Sequence, residues 1–211
     1  MSERPYIVGI AGPSCSGKTS LARALAAGLP GETLVFELDW YYRDQGGRAI
    51  DEINVDVPWA LDDVLIAEQL ERLAGGESVV RPVYDYATHA RAPRGLRVGP
   101  ADAIVVEGLF ALYWERVRRL FDLSAFLFAD HKTCLARRIA RDTRERGRTL
   151  EEVIRQYRRQ VRPMYDRFVR PTRHRADVLL GGTGTVADLV ARVMQHTRQR
   201  SRQSPRHRAT T

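Results

Sequence analysis

Apolar runs of three to six residues, too short to be ordinary helices, recur along the chain between stretches with helical spacing. They fall at 7–11, 33–38, 103–106, 125–128 and 178–180. Each is nearly continuous in Ile, Val, Leu, Ala and Phe and lacks strict alternation, so each predicts a strand covered on both faces. Between them, apolar residues three and four apart predict helices at 20–29, 60–73, 112–120, 131–143, 150–168 and 185–197. Pro163 predicts a bend in the fifth of these. The stretch 79–86 alternates around Pro82 and predicts an edge hairpin or ribbon, because proline cannot donate to a central ladder. Strand and helix taken in turn imply an α/β fold: a mostly parallel sheet with helices on both faces and one domain over 1–197.

In such sheets, ligands gather at the carboxyl ends of the strands, so the residues just past each strand carry the most information. After the first comes Gly-Pro-Ser-Cys-Ser-Gly-Lys-Thr, Gly12 to Thr19. Glycine, four residues, glycine, lysine and a hydroxyl residue between a strand and a helix is the phosphate-binding loop pattern. Its backbone amides converge on an anion at a helix start, so Gly12, Ser14, Cys15, Ser16, Gly17 and Ser20 contribute through position more than side chain. Lys18 is placed to reach the terminal phosphates, and the Thr19 hydroxyl to ligate magnesium. Of 34 basic residues only Lys18 and Lys132 are lysines, so a chain that otherwise writes cations as arginine keeps a compact ammonium here.

Asp39 follows the second strand and opens Asp-Trp-Tyr-Tyr, where a carboxylate can serve as general base toward the γ-phosphate or stand near the metal. Glu107 follows the third and precedes Gly108, the position of the acid that holds magnesium directly or through water. Six arginines lie between Arg137 and Arg148, and helical spacing puts Arg137, Arg138 and Arg141 on one face. Like charges so placed repel unless anions lie between them, which a triphosphate would supply; Gly147 would hinge the segment as a lid. Tyr84, Tyr86 and His89 follow the ribbon and can stack on or bond to a flat heterocycle, or simply pack an edge strand.

Composition narrows the class. With 44% hydrophobic and 28% charged residues the chain reads as an ordinary globular protein. No apolar run is long enough for a membrane span, and the opening residues lack the apolar core of a signal peptide, so a cytoplasmic location is expected. Cys15 and Cys134 make neither a metal spacing nor a disulfide framework. The net charge of +8 owes five arginines to the last fourteen residues; 198–211 is expected to be a disordered basic tail, weak as an argument for nucleic acid.

Taken in order, these motifs resemble the uridine-cytidine kinase family from about Tyr6 to His196. The resemblance also rests on Asn54 to Asp56, Pro82 to His89, Val105 to Gly108, Arg137 to Asp142 and Glu145 to Arg148. It implies a P-loop NTPase fold whose five strands take the order 2-3-1-4-5, with a small β-hairpin and an arginine-rich lid over about 137–148. It implies transfer of the γ-phosphate of ATP or GTP, with Mg2+, to the 5'-hydroxyl of uridine or cytidine, giving UMP or CMP in pyrimidine salvage. Asp39 would be the base, with Thr19, Asp39 and Glu107 about the metal. Asp56 and Arg138 would hold the ribose. Tyr84, Tyr86, His89, Arg148 and Gln156 would surround the pyrimidine, and Arg141 and Arg146 would serve the phosphates. A homo-oligomer, often a tetramer, is also implied. Val55, Val57 and Trp59 depart from the family's usual residues beside the sugar, which keeps open a different alcohol acceptor, phosphoribulokinase-like or pantothenate-kinase-like. A nucleotide-binding regulator without turnover is the remaining alternative.

Overall fold

A computed structural model describes residues 4–47, 53–182 and 184–203, the side chains of 198–203 excepted. Its centre is a parallel sheet of β1 (Tyr6–Ala11), β2 (Thr33–Glu37), β7 (Ala103–Glu107), β8 (Leu123–Phe128) and β9 (Val178–Gly181). The sheet runs β2-β7-β1-β8-β9, so the chain-order numbers of its strands read 2-3-1-4-5 across it. Ile10 of β1 and Glu37 of β2 both register with Glu107 of β7, which brings three strand ends to one level.

Residues of these strands alternate between two cores because successive side chains point to opposite faces. Val8, Ile10, Val105, Ala125, Leu127 and Leu180 meet Leu21 and Leu25 of α1 (Lys18–Gly28) and Leu189 and Val193 of α7 (Val186–Gln203). Ile7, Phe36, Ile104, Val106 and Phe126 meet Ile66 and Leu70 of α2 (Asp63–Ala74), Val117 of α3 (Glu115–Arg118), and Tyr165 and Val169. Helices on both faces explain why the strands read as continuous apolar runs.

Several elements differ from the sequence expectation, each for a local reason. The helix expected from residue 60 begins at Asp63, because the Asp62 side chain accepts from the Leu65 amide and caps it, while Pro58–Ala60 forms a 3-10 turn. Only Glu115–Arg118 of 112–120 is helical. The ribbon is two separate antiparallel pairs: β3 (Val79–Arg81) with β6 (Leu96–Val98), and β4 (Tyr84–Asp85) with β5 (Ala90–Arg91). After α4 (His131–Glu145) and α5 (Leu150–Gln156), the helical path continues through wide π-type turns at Tyr157–Val161 and Tyr165–Val169 on either side of the short α6 (Arg162–Met164). Pro163 has no amide to donate to the turn before it, and the widened turns accommodate that loss. The last helix runs past residue 197 to Gln203; the remainder of the basic tail, 204–211, lies outside the described residues.

Candidate active site

The carboxyl ends of β1, β2 and β7 open into a cleft of about 300 Å³. Its floor is the glycine-rich loop. Gly12, at φ +153°, packs where an added Cβ would stand 2.3 Å from the Leu127 carbonyl oxygen, so the loop crosses β8 closely only without a side chain there. α1 is preceded by Gly17 at its N-cap, with no side-chain cap and no acidic residue in its first turn, leaving its first amides for an anion. The buried Lys18 folds back so that Nζ donates to the Pro13 carbonyl at 2.9 Å. Gly12 and Ser16 lie beneath the surface of the cleft, while Ser14, Cys15, Gly17, Lys18, Thr19 and Ser20 line it.

Acids stand above this floor. The Thr19 hydroxyl donates to Glu107 Oε1 at 2.7 Å. Burial pushes the Glu107 carboxyl up to about 7, with the Asp39 charge adding to it, and Lys18 and the Thr19 bond working against it. Gly108 beside it gives room to Leu38, whose Cβ would be 2.7 Å from an added Cβ. Asp39 lies in a 3-10 turn, Leu38–Tyr41, immediately after β2 and faces the cleft. Among the described residues no group of three or more His, Cys, Asp or Glu side chains could by itself hold a metal ion. A hydroxyl and a carboxylate beside a phosphate loop nonetheless fit magnesium, which takes few protein ligands and completes its shell with phosphate and water. Asp56 is buried, and its Oδ2 has no hydrogen-bond partner among the described residues. Burial raises its carboxyl above the ordinary value, Arg138 pulls it back and Asp39 raises it further.

The six arginines divide. Arg138, Arg141, Arg146 and Arg148 line the cleft; Arg144 is exposed and pairs with Glu145. Arg137 also reaches the cleft but is engaged from below, donating to the carbonyls of Ser16 at 3.1 Å and Gly182 at 3.2 Å, which buttresses the loop. What lies between the like charges is a carboxylate of the chain itself. Asp142, fully buried, is 2.8 Å from Arg141 Nε, 3.3 Å from Arg138 Nε and 3.6 Å from Arg146 Nε. Burial would raise its carboxyl, but the Arg141 hydrogen bond and the charges of Arg138, Arg141 and Arg146 hold it below the usual range. Arg138 also donates to Ser14 Oγ at 3.1 Å and to Gln156 Oε1 at 3.0 Å, and Arg148 donates to the same Gln156 oxygen.

On the far wall, Tyr86 and His89 line the cleft and Tyr84 stands behind them, its hydroxyl 3.1 Å from His89 Nδ1. The Tyr86 hydroxyl donates to Asp39 Oδ2 at 3.1 Å, and the Arg146 guanidinium lies 5.2 Å over the Tyr86 ring. Burial and the Asp39 charge push that hydroxyl well above its usual range, so it keeps the proton it donates. Of the divergent residues only Val55 reaches the cleft: Val57 is buried in the core, and Trp59 is 63% exposed with its ring edge-on to Phe168 at 5.3 Å. Sequence reasoning did not single out the individual roles of Tyr42, Leu109, Ile53 and Asp142; the first three line the cleft and Asp142 organises its arginines. Tyr42 was legible only as part of Asp-Trp-Tyr-Tyr, and Asp142 only as the acid ending a run of bases.

The chain is similar to known proteins over most of its length. The sequence profile of the Phosphoribulokinase / Uridine kinase family matches residues 7–187. The chain is 42% identical over 193 residues to uridine kinase of Geobacillus kaustophilus (strain HTA426), covering 89% of this chain and 92% of that one. It is 41% identical over 197 residues to uridine kinase of Streptococcus gordonii (strain Challis), covering 90% and 94%. Among solved structures it is similar in fold to phosphoribulokinase from Rhodobacter spheroides, with a TM-score of 0.58, 19% identity and coverage of 86% and 71%. D-glycerate 3-kinase from Cryptococcus neoformans is another, with a TM-score of 0.55, 18% identity and coverage of 78% and 79%.

Proposed function

The chain belongs to the phosphoribulokinase / uridine kinase family, and from that premise we propose that it is a uridine kinase, phosphorylating the 5'-hydroxyl of uridine or cytidine from ATP or GTP. The observation that carries the reading is one cleft holding both a phosphate loop with Lys18 and, opposite it, the Asp39 and Asp56 carboxylates. The orphaned Asp56 oxygen suits a ligand rich in hydroxyl donors, as a ribose is. Only one divergent residue, Val55, meets the cleft, which removes most of the motive for a different acceptor.

In this mechanism the loop amides and Lys18 hold the triphosphate with its γ-phosphorus toward Asp39. The 5'-oxygen attacks phosphorus in line, its proton passes to the Asp39 carboxylate, the bond to the β–γ bridging oxygen breaks, and the nucleoside diphosphate leaves. Arg141 and Arg146 balance the charge that spreads over the transferring oxygens. Asp56 and Arg138 orient the ribose, while Tyr86, His89, Arg148 and Gln156 bound the base and Tyr84 backs His89. Magnesium held near Thr19 and Glu107, with Asp39 close by, would supply charge neutralisation of the phosphate oxygens. The arginine segment over 137–148 acts as the lid that excludes water from the γ-phosphate. The resemblance that implies this reaction also implies a homo-oligomer, and the composition of the chain suits work in the cytoplasm.

The test is ADP release with magnesium and ATP, comparing uridine, cytidine, adenosine, ribulose 5-phosphate and pantothenate. Turnover confined to the pyrimidine nucleosides is expected, and Asp39→Asn should lower kcat by about 10² to 10⁴ with ATP still bound. Turnover of ribulose 5-phosphate or pantothenate, or of no acceptor, would end the uridine kinase reading.

A further inference from the structure

Asp142 is the one fully buried charged side chain on α4 and does not itself line the cleft, yet three of the arginines that do are gathered around it. Its backbone works to the same end. After α4 the chain turns at Gly147, φ +63°, and the amides of both Arg146 and Arg148 donate to the Asp142 carbonyl at 3.2 Å. One residue thus sets four guanidiniums, two of them through the backbone that carries them. From those arginines the contacts fan out to reacting parts of the cleft: Arg138 to Ser14 in the loop, and Arg146 to the ring of Tyr86, whose hydroxyl rests on Asp39.

We propose that Asp142 is a positioning residue for phosphoryl transfer, a buried counter-charge that presets Arg141 and Arg146 for the transferring phosphate and Arg138 beside the acceptor. Guanidiniums three to five positions apart on one helical segment repel and would otherwise spread into solvent as separate long side chains. A phosphate could collect them, but each would then be ordered during the reaction itself, whereas charges fixed beforehand stabilise a transition state without reorganising. A carboxylate paired with a single arginine would cancel that charge. Here a single carboxylate is shared by three, leaving a positive excess turned toward the cleft. The inference rests on the kinase reading of the cleft but not on which alcohol accepts the phosphate.

The position predicts an uncommon split between binding and turnover. Replacing Asp142 by Asn removes a negative charge beneath the arginines, so the attraction of the site for an anion cannot weaken on electrostatic grounds, while the arrangement of the guanidiniums is lost. The experiment measures Kd for ATP without acceptor, by calorimetry, beside kcat with uridine and the acceptor-independent rate of ATP hydrolysis. Wild type, Asp142→Asn and Asp142→Glu are compared, the last keeping the charge but displacing it by a methylene in case the Asn chain does not fold. Expected are at least a tenfold fall in kcat and in hydrolysis for either folded variant, with Kd for ATP within threefold of wild type or tighter. Rates within threefold of wild type in a folded variant, or a Kd weakened in step with the rates, would overturn the proposal. A wild-type chain inactive on every nucleoside would count against uridine kinase alone, because the hydrolysis rates of the variants still decide the role of Asp142.

Discussion

Tyr86 stands between opposite charges, its hydroxyl on Asp39 and its ring beneath Arg146. From the sequence it is one of two ring residues in Tyr-Asp-Tyr and offers itself for stacking on a heterocycle; its contact with the candidate base joins residues 47 positions apart. Tyr86→Phe keeps the ring and the cation contact and removes only the donor. A hydrogen bond to a charged group contributes about 1.5 to 3 kcal/mol, part of which a water can replace. We expect kcat to fall about three- to tenfold while KM for uridine stays within twofold. A large rise in KM with kcat unchanged would return Tyr86 to a purely base-binding role. Asp39 and Glu107 could be singled out from the sequence because ligands of an α/β sheet gather at the carboxyl ends of its strands, where both acids fall. Asp142 could not, because an acid inside an arginine-rich helix reads equally as a solvated surface partner, and only its complete burial distinguishes the two.

At the level of elements, two glycines turn the chain for different reasons and separate under substitution. Gly147 has φ +63° with nothing within 4 Å of an added Cβ, so Gly147→Ala incurs only left-handed strain, about 1 to 2 kcal/mol, or about 2 to 8 °C in Tm for a chain of this size. Gly12→Ala adds a contact of 2.3 Å with a backbone oxygen that cannot step aside. It should lower Tm further and weaken ATP binding, since the displaced loop no longer presents its amides together. Thermal unfolding and calorimetric titration of the two variants check this; equal effects would mean that the close approach to β8 does not matter. Helix existence was readable from spacing throughout, but the ends were not. Asp62 capping the helix at Asp63, and the wide turns flanking Pro163, depend on which backbone groups a neighbour satisfies, and periodicity carries no record of that.

For the whole molecule, a bound triphosphate would touch the loop after β1, the acids after β2 and β7 and the arginines of α4, tying together segments from Gly12 to Arg148. Ligand that binds only the folded chain stabilises it by mass action, about 2.7 kcal/mol at a hundred times Kd. Mg-ATP at that excess should therefore raise Tm by about 5 to 10 °C, and Lys18→Ala should abolish most of the shift at the same concentration. An equal shift in the variant would separate nucleotide binding from the loop. Sequence alone determined the α/β class, the loop and its lysine, and the strand-end acids, because each is a local pattern: period, spacing, or the residue following an apolar run. Tertiary structure decided which arginines face the cleft, that a buried carboxylate gathers them, that Tyr86 meets Asp39, and that Val57 and Trp59 turn away from the site. Those outcomes depend on contacts between distant segments, where the direction of a side chain follows from packing against neighbours that its own sequence surroundings do not name.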